Sequence, residues 1–137
     1  MNAPLPTAAP SLQERAARQD QVVQALLQAL PAQALLWHTE DTTPYECDGL
    51  TAYRQRPLAV CLPETEAQVQ AVLRTCHRLG VPVVARGTGT GLSGGAMPHA
   101  MGVILSLARF NQILAIDPAS RTARVQCGVR NLAISEA

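Results

Sequence analysis

Five of the chain's nine glycines fall in one short run, Ala85-Arg86-Gly87-Thr88-Gly89-Thr90-Gly91-Leu92-Ser93-Gly94-Gly95-Ala96-Met97-Pro98. The run directly follows an apolar strand candidate, Val81-Pro82-Val83-Val84. Without Cβ, glycine reaches positive φ, so successive backbone N–H groups can turn inward into a concave nest that an anion approaches closely. Thr88, Thr90 and Ser93 add hydroxyl donors, and Arg86 adds a positive charge at the mouth. An ordinary glycine-rich turn needs fewer glycines than this. The composition fits a phosphate-holding loop in which Gly87, Gly89, Gly91, Gly94 and Gly95 shape the nest.

Three loop chemistries share that composition. Gly89-Thr90-Gly91-Leu92-Ser93-Gly94 satisfies G-x-G-x-x-G, but the dinucleotide fingerprint needs a helix that opens within the loop. No helix can follow here, because Gly94-Gly95, Pro98 and Gly102 interrupt any helical run. The next apolar segment, Val103-Ile104-Leu105-Ser106-Leu107, is short and β-branched. A Walker A loop fails because Gly95, not lysine, follows Gly94.

The rest of the chain organises around this loop. Ser11-x-x-Glu14 is a capping box opening a helix to about Leu30, with Leu12, Ala16, Val23, Leu26 and Leu30 as its apolar stripe and Pro31 as its stop. That helix is expected on the outside of the fold. Residues 37–57 read as loop or short strands. Leu58–Leu62 is a buried strand, and Thr65-x-x-Gln68 opens a second helix that Gly80 closes near Leu79. With Val81–Ala85 these make a βαβ unit, whose second strand delivers the glycine run at its carboxyl end, where open α/β sheets bind ligands. Val103–Leu107, Ile113–Ile116 and Thr122–Cys127 then fit a β-meander, with a turn at Asp117-Pro118-Ala119-Ser120. Ala123, Val125 and Cys127 alternate with polar neighbours, as in a strand with one buried face. Asn131–Ala137 begins a helical pattern. The class is α+β: an N-terminal helix, a βαβ unit and a short β-meander.

With 137 residues, 47% of them hydrophobic, and a net charge of +1, nothing points to nucleic acid or to an anionic membrane surface. No stretch approaches the ~20 apolar residues of a membrane span. Met1–Pro10 has neither a basic n-region nor an apolar h-region and reads as a disordered tail. Cys47, Cys61, Cys76 and Cys127 show no C-x-x-C spacing, so they read as reduced thiols. Cys76 shares a helical face with Val69, Val72, Leu73 and Leu79, a core position. His38, His77 and His99 are scattered, and no metal site is expected.

The run Arg86–Pro98 resembles the pyrophosphate loop of FAD-linked oxidases of the vanillyl-alcohol oxidase and p-cresol methylhydroxylase type. The resemblance extends to Pro44-Tyr45-Glu46-Cys47-Asp48-Gly49-Leu50, Tyr53-Arg54, Pro57-Leu58-Ala59-Val60 and Leu62-Pro63-Glu64-Thr65. Downstream it takes in Asn111, Ile113, Ile116-Asp117-Pro118 and Gly128-Val129. Within the family it is nearest the glycolate oxidase branch, with the D-lactate and D-2-hydroxyglutarate dehydrogenases as alternatives.

What the resemblance implies is an N-terminal helical segment over 11–38 and a PCMH-type FAD-binding domain over 39–137, incomplete at its C-terminal end. Non-covalent FAD would be held by Arg86, Gly87, Thr88, Gly89, Thr90, Gly91, Leu92, Ser93, Gly94, Gly95 and Gly128. It also implies a small 2-hydroxy acid substrate, partner subunits of a glycolate oxidase complex, and a cytoplasmic location at the inner membrane through those partners. Substrate-binding and proton-abstracting groups belong to other parts of such enzymes, so no catalytic residue is assigned and the chain alone is expected to be inactive. Where family members carry Pro-Gly-Val this chain has Cys127-Gly128-Val129, which implies a looser turn. A non-enzymatic anion-binding module is the reading of another class that the residues leave open.

Overall fold

The computed structural model describes residues 10–137, so the tail expected over Met1–Pro10 lies outside the described residues but for Pro10. Ser11 opens the first helix, α1 (Leu12–Leu26), through a reciprocal capping box. Its hydroxyl accepts from the Glu14 amide at 3.2 Å while the Glu14 carboxylate accepts from the Ser11 amide at 2.8 Å. The helix ends earlier than the pattern suggested. Tight turns carry the chain from Leu27 to Leu30, because Pro31 disfavours helical geometry in the residue before it.

The stripe is also rotated from the expected one. Val22 and Leu26 are fully buried, whereas Leu12 is 87% exposed. Nor is α1 an outer layer: Val22, Val23 and Leu26 join Leu58, Ala59, Val72 and Cys76 in one core. Its polar side chains fasten it down as well. Gln19 donates to the carbonyls of Trp37 and Leu58 at 3.1 and 2.7 Å, Arg15 donates to Arg56 and Pro57, and Arg18 reaches the Leu79 carbonyl.

A 3-10 turn at Ala32–Ala34 leads into β1 (Leu35–Leu36), a strand within the span 11–38 expected to be helical. Residues 37–57 hold no strand; a short helix α2 (Thr39–Thr42) and a 3-10 turn (Thr43–Tyr45) stand there instead. Next come β2 (Ala59–Cys61), α3 (Glu66–Leu79) and β3 (Val83–Arg86). The Thr65 side chain caps α3 by accepting from the Gln68 amide at 3.2 Å. The second half of that capping box is replaced, since the Gln68 side chain accepts from Glu64 and not from Thr65. Gly80 closes the helix in the left-handed conformation at φ 62°. Of the face expected to be buried, Val72 and Cys76 are, while Leu73 is 43% exposed.

The expected meander is corrected at its first strand. β4 (Val103–Ser106) runs parallel to both β2 and β3 and lies between them, giving a sheet of order β1-β2-β4-β3. Ala59, Val60 and Cys61 pair with Val103, Ile104 and Leu105, and Val83–Arg86 pair with Val103–Ser106 from the other side. A short apolar run reads alike in a meander or in a parallel sheet, and only burial tells them apart. All four β4 residues are buried, as a central parallel strand requires.

Only β5 (Ile113–Asp117) and β6 (Thr122–Val125) form an antiparallel hairpin. The Asp117 carboxylate accepts from the amides of Ala119 and Ser120 at 3.0 and 3.2 Å, which makes the turn. The buried face expected for the last strand is absent among the described residues, where Thr122, Ala123 and Arg124 are all exposed. A short helix, α4 (Asn131–Glu136), follows.

Candidate functional site

The glycine run leaves the carboxyl end of β3 and returns to β4 with no helix between them, as Pro98 and Gly102 dictate. It is thus the whole connection between two adjacent parallel strands, and its backbone is free to face a ligand. Both ends are pinned: the Leu107 amide donates to the Arg86 carbonyl at 3.0 Å, and the Val103 amide to Pro82 at 2.9 Å.

The five glycines divide into two roles. Gly89 and Gly94 are in the left-handed region, each at φ 75°, where a side chain is strained. Gly87, Gly91 and Gly95 are not, so of the five glycines expected to shape the nest only two do so through left-handed backbone. At these three, a Cβ would meet nothing within 4 Å. Two glycines therefore turn the chain and three leave its surface bare, which is the combination an approaching phosphate needs. Thr88 and Thr90 lie side by side with their hydroxyls 3.1 Å apart, and Leu92 and Ser93 are exposed at the tip.

Arg86 is neither at the mouth nor in solvent. It is 8% exposed, with Nη1 donating to the Cys47 carbonyl at 2.7 Å and its guanidinium 5.4 Å from the centre of the Tyr45 ring. The guanidinium packs so closely on Gly89 that a Cβ there would lie 2.1 Å from Nη2. A cation held against the loop raises the potential where an anion would sit, while its hydrogen bond fixes the 45–49 segment to β3.

That segment is the part of the site the glycine pattern did not reveal. The Gly49 amide donates to the Gly91 carbonyl at 2.9 Å, and a Cβ on Gly49 would stand 2.6 Å from the Thr90 oxygen. Asp48 beside it is buried; its Oδ1 accepts from the Leu50 amide at 2.9 Å, and its Oδ2 has no partner among the described residues. The signal was present as Asp48-Gly49, a tight-turn pair, but nothing local says which loop such a pair will meet.

Gly87, Thr88 and Gly128 come together in one cleft of about 430 Å³, whose wall is completed by Cys127, Arg130 and Asn131. No carboxylate lines it. Arg130, absent from the expected set, adds a second positive charge. The turn at Gly128 is tight and not loose: its amide donates to Phe110 at 2.7 Å, and a Cβ would lie 2.3 Å from the Leu107 carbonyl oxygen. Cysteine at position 127 is compatible with this because its side chain is exposed. A wider, more open groove of about 740 Å³ begins at Ala108, shared by both, and runs past Tyr45, Asn111 and Gln112.

Bare glycine backbone, a buried guanidinium and a cleft without carboxylates suit a bound dinucleotide phosphate. Among the described residues no group of metal-ligating side chains occurs, and no helix is long and apolar enough to cross a membrane.

A family model described as "FAD binding domain" matches residues 57–137. The chain belongs to this family of FAD-binding domains. It is 60% identical over 116 residues to the glycolate oxidase subunit GlcD of Escherichia coli strain K12, covering 85% of this chain and 23% of that one. It is 38% identical over 110 residues to the D-2-hydroxyglutarate dehydrogenase of Xanthomonas citri pv. viticola, covering 80% and 23% of the two chains. Among solved structures, p-cresol methylhydroxylase with substrate bound superposes with a TM-score of 0.77 at 26% identity, over 96% of this chain and 25% of the other. The chain thus spans about a quarter of the length of the relatives it matches. The α+β architecture is that of the PCMH-type FAD-binding fold, and FAD is the cofactor of the family.

Proposed function

We propose that this chain is the cofactor-gripping part of a flavoenzyme that oxidises a small 2-hydroxy acid to a 2-keto acid, with glycolate as the preferred substrate. The observation that carries the substrate is the 60% identity to a glycolate oxidase subunit, against 38% to a D-2-hydroxyglutarate dehydrogenase. When bound, FAD supplies the acceptor for the hydride equivalent from the α-carbon. The protein's own contribution is to bind and orient. Backbone N–H groups from Thr88 to Gly95 hold the pyrophosphate, the Thr90 and Ser93 hydroxyls assist, Leu92 covers the tip, and Arg86 supplies charge from behind Gly89. Gly128 lets the chain close tightly on Leu107 and Phe110, which shapes the other wall of the cleft.

No histidine or cysteine lies between Arg86 and Pro98, so this reading has FAD held without a covalent link. Residues 39–137 form the binding portion, and 11–38 supply α1 to its core and β1 to its sheet. Assembly with further subunits, at the cytoplasmic face of the inner membrane, belongs to the same proposal.

The test is anaerobic reduction in the whole protein. Glycolate should bleach the oxidised flavin band faster than D-lactate or D-2-hydroxyglutarate. Bleaching by none of the three removes the 2-hydroxy acid reading, and a faster response to D-lactate moves the protein to that branch.

A further inference from the structure

We propose that Arg130 is a phosphate ligand of the cofactor seat, its guanidinium taking the pyrophosphate of the bound dinucleotide from the 127–131 side of the cleft that it shares with the glycine run. Arg130 is exposed, and with Gly87 and Thr88 it lines the cleft of about 430 Å³. An adjoining cleft of about 240 Å³, which shares Ala108, Gly128 and Val129 with the first, is lined by it as well. No carboxylate stands in either.

The fold makes no use of that charge. The one ion pair among the described residues joins Arg109 and Glu64, and the Arg130 guanidinium has no hydrogen-bond partner among them. An arginine carries five N–H donors and no acceptor, so all five are left for a ligand. Arg86 cannot take this role from where it stands. It is 8% exposed, its Nη1 is engaged by the Cys47 carbonyl, and its guanidinium lies against Tyr45 and Gly89.

The backbone that carries Arg130 is held against the strand beside the loop. The Gly128 amide donates to Phe110 at 2.7 Å, a Cβ on Gly128 would stand 2.3 Å from the Leu107 carbonyl oxygen, and the Val129 amide donates to Gln126 at 3.2 Å. Leu107 in turn donates to the Arg86 carbonyl at 3.0 Å, so the two sides of the cleft are fixed to each other through one residue. Binding then orders the Arg130 side chain and not the chain around it. The ligand's chemistry selects the group that it meets. Ribityl chain, ribose and adenine are neutral, whereas the pyrophosphate carries the dinucleotide's negative charge, and a guanidinium fork matches phosphate oxygens two at a time. The inference rests on the pyrophosphate lying along the 87–95 loop.

The experiment compares Arg130→Gln, Arg130→Lys and Gly91→Val with the wild type in the whole protein, by titration with FAD and with ADP and by thermal melting of the flavin-free form. Arg130→Gln should weaken FAD binding about tenfold, equivalent to about 1.4 kcal/mol, and weaken ADP binding by a similar factor, while the flavin-free protein melts as wild type does. Lysine keeps the charge without the fork, so Arg130→Lys should fall between the two. Salt screens a charge that solvent reaches, so raising it should narrow the gap between wild type and Arg130→Gln.

Unchanged FAD affinity in Arg130→Gln overturns the proposal, as does a lowered melting temperature of that flavin-free variant, which would make Arg130 a support of the chain itself. Arg130→Lys binding no better than Arg130→Gln, or a gap indifferent to salt, overturns it by removing charge as the cause. A loss for FAD that ADP does not share overturns it too, since the guanidinium would then face the flavin. Gly91→Val keeps the two possible failures apart. If it releases flavin while Arg130→Gln does not, only Arg130 is misassigned; if neither does, the loop is not the phosphate seat. A loss in Arg130→Gln alone puts the phosphate off the loop and overturns both.

Discussion

The Gly49 amide and the Gly91 carbonyl, far apart in sequence, are joined by a 2.9 Å hydrogen bond that leaves no space for a side chain on Gly49. A Cβ there would press on two carbonyl oxygens of the loop backbone, at 2.6 and 2.9 Å. Backbone cannot swing aside as a flexible side chain can.

Gly49→Ala should therefore shift the loop and cost about 1–3 kcal/mol, the range for overpacking a filled site. The measurement is flavin content after purification together with chemical denaturation. A variant with full flavin and wild-type stability would show that the 45–49 segment does not set the loop's shape.

Within the loop, strain and occlusion separate by position. Alanine in the left-handed region costs about 1–2 kcal/mol, so Gly89→Ala and Gly94→Ala should destabilise even the flavin-free protein. Gly89→Ala should be the worse because its Cβ also meets the Arg86 guanidinium. Gly91→Val has open space and no positive φ, so its flavin-free stability should stay within about 0.5 kcal/mol of wild type while FAD binding is lost. Equal stability for all three variants would contradict the division of roles.

The four thiols should fall into two classes. Burial, with Cys76 nearby, pushes the Cys61 thiol far above its ordinary range, and burial pushes Cys76 up to about 11. In the native protein a thiol reagent should modify exposed Cys127 and half-buried Cys47 and spare Cys61 and Cys76 until unfolding. Rapid reaction at four sites under native conditions is the contrary result. A stability trend follows with a definite sign. The unfolded chain releases the Cys76 proton near 9.0 and the native chain near 11, so stability is intact below that window and falls as pH rises through it.

At the start of α1, Ser11→Ala removes the cap and should cost about 1 kcal/mol, read from urea denaturation. Hydrogen bonds from Ser11 hold the Glu14 carboxyl below the ordinary carboxylate range. Its contribution is present above that range and fades as pH falls into it. Glu14→Gln should therefore differ from wild type at neutral pH and converge with it in acid; a gap that persists in acid would point to packing instead.

Much of this was legible in the residues. Thr65 and Gly80 mark the ends of α3 because a cap and a left-handed stop are local chemistry, and Pro98 with Gly102 rule out a helix after the loop. The loop's position at the end of β3 followed from the same punctuation. The placement of β4 between β2 and β3 did not, because the order of parallel strands depends on pairings between distant segments. Arg86 shows the same limit: its sequence neighbours suggest an anion at the mouth of the loop, but its partner is the Cys47 carbonyl, 39 residues away. Gly49 was part of the family resemblance, yet its contact with the glycine run is a tertiary fact.

The order β1-β2-β4-β3 bears on how the molecule is assembled in time. β2 and β3 share no ladder, so neither finds its parallel neighbour until the chain has passed through the glycine run and completed β4. Parallel pairing across long connections is slow, since loop closure precedes any gain from contact. The glycine run, the proposed phosphate seat, is therefore also the last span to be crossed before the sheet can close. A change in its length or glycine content would therefore alter folding rate as well as the proposed phosphate seat.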